Sequence, residues 1–444
     1  MKGREAAYLG LMQFEKHKLQ LNLILNEIVT KYHISSREKK FVYNLANGVL
    51  RYKSFLDWKV SEFYQGKYAR VLTKLKVILR LAVYEIDYLD HIPVRATVHE
   101  YVNLARKKIT ARHASVVNGI LRNYIRTGKN LNPEHRFKYE ETRIAIQFSY
   151  PEWLIKRWIR FWGVDETRQL CNAMNQRPVF DLWINTGRIT VRKFSDLLNQ
   201  AGVNVYNSDY SSRILKVYDI QKIVELDLFK KGYCRIQDES AQLAVAALDP
   251  QKDDKILDAC AAPGGKFMAI HDRLDSPQTL VANDVFLDRL QVLKSNCVQA
   301  RIDGYNLVQS DFTLPAFKAK FDKILLDVPC SGLGTIQKNP DIKWRRSEKE
   351  LAEFNQLQSV LLEKAVSILK PGGIVVYCTC TIDPDENENV INRYLARTDE
   401  IVELRSPLSN IDSDFLDDKF IKTFPHRHGM DGSFAAIIHK KSAS

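Results

Sequence analysis

The sequence predicts a multidomain protein in three parts: an all-α bundle over residues 1–135, a small α+β unit over 136–235, and a doubly wound α/β sheet over 236–444. Three observations carry this reading. Apolar residues keep helical spacing through the first 130 residues. Short strand-like runs then bracket a helix, as in a small α+β unit. From residue 236 onward, apolar strand runs alternate with helical stretches, the pattern of βαβ crossovers.

Taken in order, Leu19, Leu21, Ile24, Leu25 and Ile28 mark one helix, and Phe41, Val42, Leu45, Val49 and Leu50 a second that starts at Ser36-Arg37-Glu38. LTKLKVILRLAVYEIDYL, TVHEYVNLARK and ASVVNGILRNYI continue the bundle, with Ile92-Pro93 as a break. In the middle region SYPEWLIKRWIRFWG reads as an amphipathic helix entered at a proline and carrying Trp153, Trp158 and Trp162. DLWINT, VNVYN and ILKVYDI read as strands, and VRKFSDLLNQAG as a helix. The aromatic residues near Arg157, Arg160 and Arg188 have two readings: core of a small unit, or platforms for unpaired bases. GYCRIQDESAQLAVAALD, a strand followed by a helix, leads into the third region, where GGIVVYCTC is the fifth parallel strand and SFAAIIHK a late antiparallel edge or hairpin strand.

Of 444 residues, 45% are apolar and 27% charged, which is globular rather than disordered. No run of 18 or more uncharged apolar residues occurs, and charges interrupt the N-terminus, so a cytoplasmic protein without membrane contact is expected. Seven cysteines, an odd number, point to reduced thiols rather than a disulfide framework. Residues 1–150 hold 27 Lys and Arg against 13 Asp and Glu, whereas 151–444 hold 39 against 40. The whole surplus of +13 thus lies at the front, as in a module that docks on a polyanion such as nucleic acid. A solvated basic face is the alternative.

The densest chemistry lies in KILDACAAPGGK, residues 255–266, where a short strand ends on Asp258, turns through Pro263-Gly264-Gly265 and opens a helix. Glycines there allow close backbone approach to a ligand, as in nucleotide-binding turns. Three further apolar runs end on acids: TLVAND on Asp284, YNLVQSD on Asp311 and FDKILLD on Asp327. Asp284 lies 26 residues after Asp258, near the offset of about 20 for a ribose-binding acid. All four acids fall at the carboxyl edge, where open α/β sheets bind ligands. Cys330, in Asp327-Val328-Pro329-Cys330-Ser331-Gly332, and Cys380, in Cys378-Thr379-Cys380-Thr381, are expected at the same edge. Three readings compete for the cysteines. Buried small hydrophobes suit Cys171, Cys234, Cys260 and Cys297. A zinc site from Cys378, Cys380, His426 and His428 lacks paired CxxC spacing, and no metal is expected. Nucleophilic catalysis suits a strand-end thiol beside a carboxylate and a cofactor turn.

Two resemblances extend this reading. EKKFVYNLANGVLRYKSFLDW, LRLAVYEIDYLDHIPVRATVHEYVNLAR and VVNGILRN resemble the RNA-binding bundle of the NusB family over roughly the first 130 residues. This implies phosphate contacts, with Arg37, Lys39, Lys40, Arg51, Arg106, Lys107, Lys108 and Arg112 as candidates. GYCRIQDESAQ, ILDACAAPGGK, DKILLDVPCSGLGT, NPDIKW, PGGIVVYCTCTIDPDENE and FPHRHGMDGSFAA resemble the RNA cytosine-5 methyltransferases. With the NusB-like front and SYPEWL, the full chain resembles the Sun/Fmu family of bacterial 16S ribosomal RNA cytosine-5 methyltransferases, departing from its motifs at Phe267, Asn339 and Tyr150.

The resemblance implies a Rossmann-like domain using S-adenosylmethionine. Cys260, Ala261, Ala262, Pro263, Gly264, Gly265 and Lys266 would cradle its methionine part. Asp284 would take the ribose hydroxyls, Asp311 the adenine amino group, and Asp327 the methionine end or the target cytosine. Cys380 resembles the family nucleophile and Cys330 the release cysteine. The implied partner is 16S ribosomal RNA, before or during small-subunit assembly. The competing readings are a ribosomal RNA-binding assembly factor, a cytosine-5 methyltransferase of another RNA, and a DNA enzyme using the Pro-Cys thiol.

Overall fold

The computed structural model describes residues 2–128, 131–134, 136–274, 279–314, 317–407 and 411–442. The expected boundary residue 135 lies outside them. The chain forms two compact units: residues 1–176 with 339–346, and 177–338 with 347–444.

The first unit is helical. Thr73–Tyr88 is its axis: Leu75 and every residue from Val77 to Ile86 are buried, so this helix is apolar nearly all round. The two charges it carries inside must therefore be paired. Arg80 bonds Asp57 with two nitrogens, both at 2.7 Å, and Glu15 at 2.8 Å. Glu85 accepts from Arg4, Thr97 and Tyr101 at 2.6–3.2 Å. Around this axis pack Gly3–His17, Leu21–Lys31, Ser36–Arg51, Lys53–Ser61, Val94–Lys108 and Ala111–Thr127. Two expectations change here. Ser35, not Ser36, caps helix Ser36–Arg51 by accepting from the Glu38 N–H, because a cap residue must itself lie outside the helix. Leu19 precedes helix Leu21–Lys31 and is 60% exposed rather than core.

SYPEWL opens helix Glu152–Asn175, which bends where Gly163 takes φ 81°. Trp158 is completely buried, so for it the core reading holds. The eight residues 339–346, which carry the NPDIKW run, leave the sheet region and cap two helices of the first unit. Asp341 accepts the Leu21 N–H at the start of helix Leu21–Lys31. Lys343 and Trp344 donate to the Arg51 and Leu50 carbonyls at the end of Ser36–Arg51. These bonds satisfy groups that the two helices leave unbonded at their ends, and burial pushes the Lys343 amine well below the usual lysine pKa.

The second unit holds two sheets. Strands β1 (Phe180–Ile184), β2 (Tyr206–Asn207), β3 (Ile214–Val217) and β4 (Cys234–Ile236) form an antiparallel sheet in the order β2-β3-β1-β4. GYCRI thus completes this small sheet, pairing with β1, rather than beginning the larger one.

The larger sheet contains β5 (Ile256–Asp258), β6 (Leu280–Asp284), β7 (Asn306–Gln309), β8 (Phe321–Asp327), β9 (Leu369–Thr379), β10 (Val402–Arg405), β11 (Leu416–Asp417), β12 (Phe420–Thr423) and β13 (Ser433–Lys440). Its order is β11-β12-β13-β9-β8-β5-β6-β7, with β10 beside β13. The five strands β5 to β9 are parallel, so the fold class is the one expected: helical bundle, small α+β unit and Rossmann-like domain. SFAAIIHK is antiparallel but not at an edge. As β13 it lies between β9 on one side and β12 and β10 on the other. Its buried run Phe434–Ile438 fits an interior strand.

Candidate active site

Because β5, β6, β8 and β9 run parallel, their carboxyl ends converge, and residues distant in sequence meet there. Asp258 ends β5 and Asp284 ends β6; both are buried. Asp327 ends β8 directly opposite Cys378 of β9. Asp311 falls two residues beyond β7 and is exposed, with Oδ1 accepting from the Thr313 N–H and hydroxyl.

After β5 the chain turns into helix Gly265–His271 through Gly264, whose φ of 102° favours glycine, and a Cβ there would stand 2.9 Å from Leu293. The turn is braced from β6: Asp284 Oδ2 accepts the Ala262 N–H at 3.2 Å, and the Asn283 carbonyl accepts the Ala261 N–H at 2.8 Å. Lys266 reaches from the helix to Asp327, 2.8 Å from Oδ2. Burial opposes its charge, but Asp327 and the nearby thiols of Cys378 and Cys380 hold its pKa above the usual lysine value. Asp258 Oδ1 is buried without a hydrogen-bond donor. Burial and then Asp327 push that carboxyl well above the ordinary aspartate range, with Lys266 opposing.

Cys330 and Cys380 meet with their sulfurs 3.3 Å apart. The hydrogen bond with Cys380, and then burial, raise the Cys330 thiol well above its ordinary pKa. Burial and then Asp327 do the same for Cys378, which donates to Asp327 Oδ1 at 3.5 Å. Cys171, Cys234 and Cys297 are buried, as small hydrophobes would be, while Cys260 is partly exposed beside the turn.

A polar web missing from the sequence expectations fixes the two thiol loops. The Ser331 and Thr381 hydroxyls bond at 2.9 Å, and Glu386 accepts from the Ser331 N–H at 2.8 Å, from Gln358 at 3.0 Å and from Thr381 at 3.3 Å. Glu386 is buried, which raises its pKa although Ser331 opposes this. Its only sequence signal is its place in the acid run of CTCTIDPDENE. Gly334 comes closer still: its N–H bonds the Cys380 carbonyl at 3.1 Å, and a Cβ would fall 1.8 Å from the Gly432 carbonyl oxygen.

The candidate phosphate contacts belong to the helical unit. Arg37 and Lys40 are exposed and line a hollow of about 660 Å³ with Phe41, Asn44 and His91; Lys39 is half-buried. Arg106 and Arg112 are exposed. Lys107 and Lys108 both pair with Glu5, at 3.1 and 2.7 Å. Arg51 is a correction. It is half-buried among Tyr52, Tyr84 and Tyr150, where burial lowers its pKa, so it is not an open phosphate contact.

Among the described residues, no cluster of three or more His, Cys, Asp or Glu could hold a metal, and no helix is long and apolar enough to cross a membrane. Comparison with known proteins agrees with the fold. Residues 245–439 match the family model described as 16S rRNA methyltransferase RsmB/F. Residues 1–126 match the NusB family, and 150–223 the ferredoxin-like domain of RsmF/B-like methyltransferases. A probable ribosomal RNA small subunit methyltransferase B from Synechocystis is 32% identical, covering 98% of this chain and 99% of its own. The counterpart of the same name from Bacillus subtilis is 30% identical over 99% and 98%. The crystal structure of PH0851 superposes with a TM-score of 0.80 at 26% identity, covering 99% of this chain and 98% of that one. With a relative of this identity matched from end to end, and a strand-end site already in place, the chain belongs to the RsmB/F family of 16S rRNA methyltransferases.

Proposed function

We propose that the chain transfers a methyl group from S-adenosylmethionine to C5 of a cytosine in 16S ribosomal RNA, through a covalent bond between Cys380 and C6 of that base. The observation that carries this is the pair of sulfurs 3.3 Å apart at one sheet edge, beside the Lys266–Asp327 ion pair. When bound, S-adenosylmethionine supplies an electrophilic methyl on a sulfonium. The residues present suit it: the Gly264 turn permits close backbone approach, Asp284 ends β6 for the ribose, Asp311 follows β7 for the adenine amino group, and Asp258 Oδ1 is buried without a donor.

C5 of cytosine is too weak a nucleophile to take that methyl unaided. The Cys380 thiolate adds to C6, and the electrons of the 5,6 double bond become available at C5. After C5 is methylated, its proton leaves, the S–C6 bond breaks and the double bond returns. An ordinary thiol, with a pKa of about 8.5, is only a few per cent ionised near pH 7. Two groups stand by the Cys380 sulfur for this step: the Lys266 ammonium, and a Cys330 thiol whose raised pKa keeps its proton and which can donate it in a hydrogen bond. Asp327, held by Lys266, is placed for the cytosine or the methionine end. The target base must leave its stack, which favours a loop cytosine. Residues 1–135 supply RNA docking in this reading, with 136–235 connecting them to a methyltransferase domain at 236–444, acting before or during small-subunit assembly in the cytoplasm.

Labelled 16S RNA on a denaturing gel tests the roles. Cys380→Ala loses turnover and any protein–RNA adduct, whereas Cys330→Ala transfers the methyl, stalls before elimination and accumulates the adduct. An adduct that persists in Cys380→Ala and vanishes in Cys330→Ala reverses the assignment and favours DNA-type chemistry. Absence of 5-methylcytosine in RNA treated with the intact protein sinks the reading.

A further inference from the structure

Beside the thiol loops lies a buried ionic cluster that the reaction above does not use. Lys338 Nζ bonds Asp238 Oδ2 and stands 3.0 Å from Asp431 Oδ2. The Asp431 N–H is 3.2 Å from each Asp238 oxygen, and Ser240 donates its N–H to Asp238 at 3.0 Å. A neighbouring set of charges follows, with Lys216 at 3.2 Å from Asp181 and 3.4 Å from Glu239. Burying such a group costs several kcal/mol per ion, and apolar residues of the same volume often serve stability as well. Fixed geometry is what the ionic version adds.

That geometry leads to the nucleophile. Lys338 lies four residues after Gly334, whose N–H bonds the Cys380 carbonyl at 3.1 Å. Gly432, the residue after Asp431, donates its N–H to the Gly334 carbonyl at 2.9 Å. Thr423 Oγ1 holds the Asp431 carbonyl at 2.7 Å. Three main-chain segments are therefore linked in series: the Cys380 loop, the Gly334 loop and the Gly432 loop. Lys338 is the side chain that ties the second to the third and both to Asp238.

We propose that Lys338 is a positioning residue for the Cys380 thiol, clamping the Gly334 and Gly432 loops so that the Cys380 main chain stays in place for attack on C6. The inference rests on the reading of Cys380 as the nucleophile. It adds a residue that touches neither base nor cofactor. The charge state of the cluster agrees with it. Burial, and then Asp238, push Asp431 up to about 8 while Lys338 opposes them. Asp238, despite burial, is held below the usual range by Lys338. One ammonium thus faces one carboxylate and one carboxyl near neutral pH.

The test uses full-length protein, 16S RNA transcript and S-adenosylmethionine. Lys338→Met should slow single-turnover methyl transfer on the order of tenfold or more, as small misplacements do, while S-adenosylmethionine affinity stays within about twofold. Losing the ammonium raises the Asp431 pKa further above about 8, so the carboxyl–carboxylate pair of Lys338→Met keeps its proton across neutral pH, and its rate deficit relative to wild type should persist from about pH 6 to 7.5. Lys338→Met with Asp431→Asn, whose amide can donate to Asp238 at any pH, should regain most of the rate and keeps the test open if the single variant folds poorly. An unchanged single-turnover rate in Lys338→Met, or a loss confined to KM, overturns the proposal. Absence of an adduct in Cys330→Ala instead overturns the nucleophile reading, and this inference with it.

Discussion

Arg80 in the helical unit and Asp258 in the C-terminal sheet are both buried charges, handled in opposite ways. Arg80 meets carboxylates on two other helices, and although burial opposes it, Asp57 and Glu15 keep its pKa raised. Lys59 likewise sits 2.9 Å from Asp87. Asp258 has one oxygen with no donor, and burial with Asp327 raises its pKa. Saturated pairing locks a helical core. Unsaturated acids gathered at one sheet edge leave hydrogen-bonding capacity for a ligand. The basic front is thus less free to bind phosphate than its composition suggests, because part of its charge holds the bundle together.

The comparison can be broken first in the helical core. Arg80→Met leaves Asp57 without its cation and Glu15 with only Lys53 and Lys18, and should cost about 3–5 kcal/mol in denaturant unfolding. A change below about 1 kcal/mol would mean that the pairing is ornamental. Acid provides the next test. Burial raises the Glu15 pKa, but Lys53 and Arg80 outweigh it and bring it from 4.5 down to about 2. The folded value lies below the unfolded one, so this stabilisation is present above pH 4.5 and is lost as pH falls toward 2. It amounts to about 3 kcal/mol at roughly 1.4 kcal/mol per unit. Glu15→Gln should flatten stability across that window; an unchanged slope would place acid sensitivity elsewhere.

On the sheet side, Asp284→Asn should weaken S-adenosylmethionine binding by about tenfold to a hundredfold, in keeping with about 1.5–3 kcal/mol for charge-assisted hydrogen bonds. Calorimetry reads this directly, and unchanged affinity removes the ribose assignment. The smallest stability effect belongs to the two lysines paired with Glu5. Lys107→Ala with Lys108→Ala should change stability by less than about 1 kcal/mol. It should also lower the slope of log affinity for RNA against log salt by roughly 1.4, about 0.7 for each phosphate that is no longer neutralised. An unchanged slope would show that Glu5 already neutralises both lysines.

The C-terminal site was legible because its chemistry is local in sequence. Asp258, Asp284 and Asp327 each end an apolar run, and parallel strands bring such ends together whatever the loops do. Cys330 and Cys380 follow two such strands by only a few residues, so their meeting needed only β8 and β9 to be neighbours. The place of SFAAIIHK was less legible. Its apolar run shows that it is buried, but not that β12 and β10 cover its second side. Arg51 was misplaced for the same reason: its neighbours Tyr84 and Tyr150 come from other parts of the helical unit.

By itself, then, the sequence determined the helical axis, the parallel strands and the acids and thiols at their ends, because each follows from apolar periodicity and a turn within a short window. Only the tertiary structure decided which charges were left over. Lys343 bonds the carbonyl of Arg51 across 292 residues, and Trp344 that of Leu50 across 294. Lys338 joins Asp238 across 100 residues and Asp431 across 93. No local preference encodes such contacts. A buried polar side chain takes whichever oxygens the packed chain leaves within reach, and that is known only once the elements have been brought together.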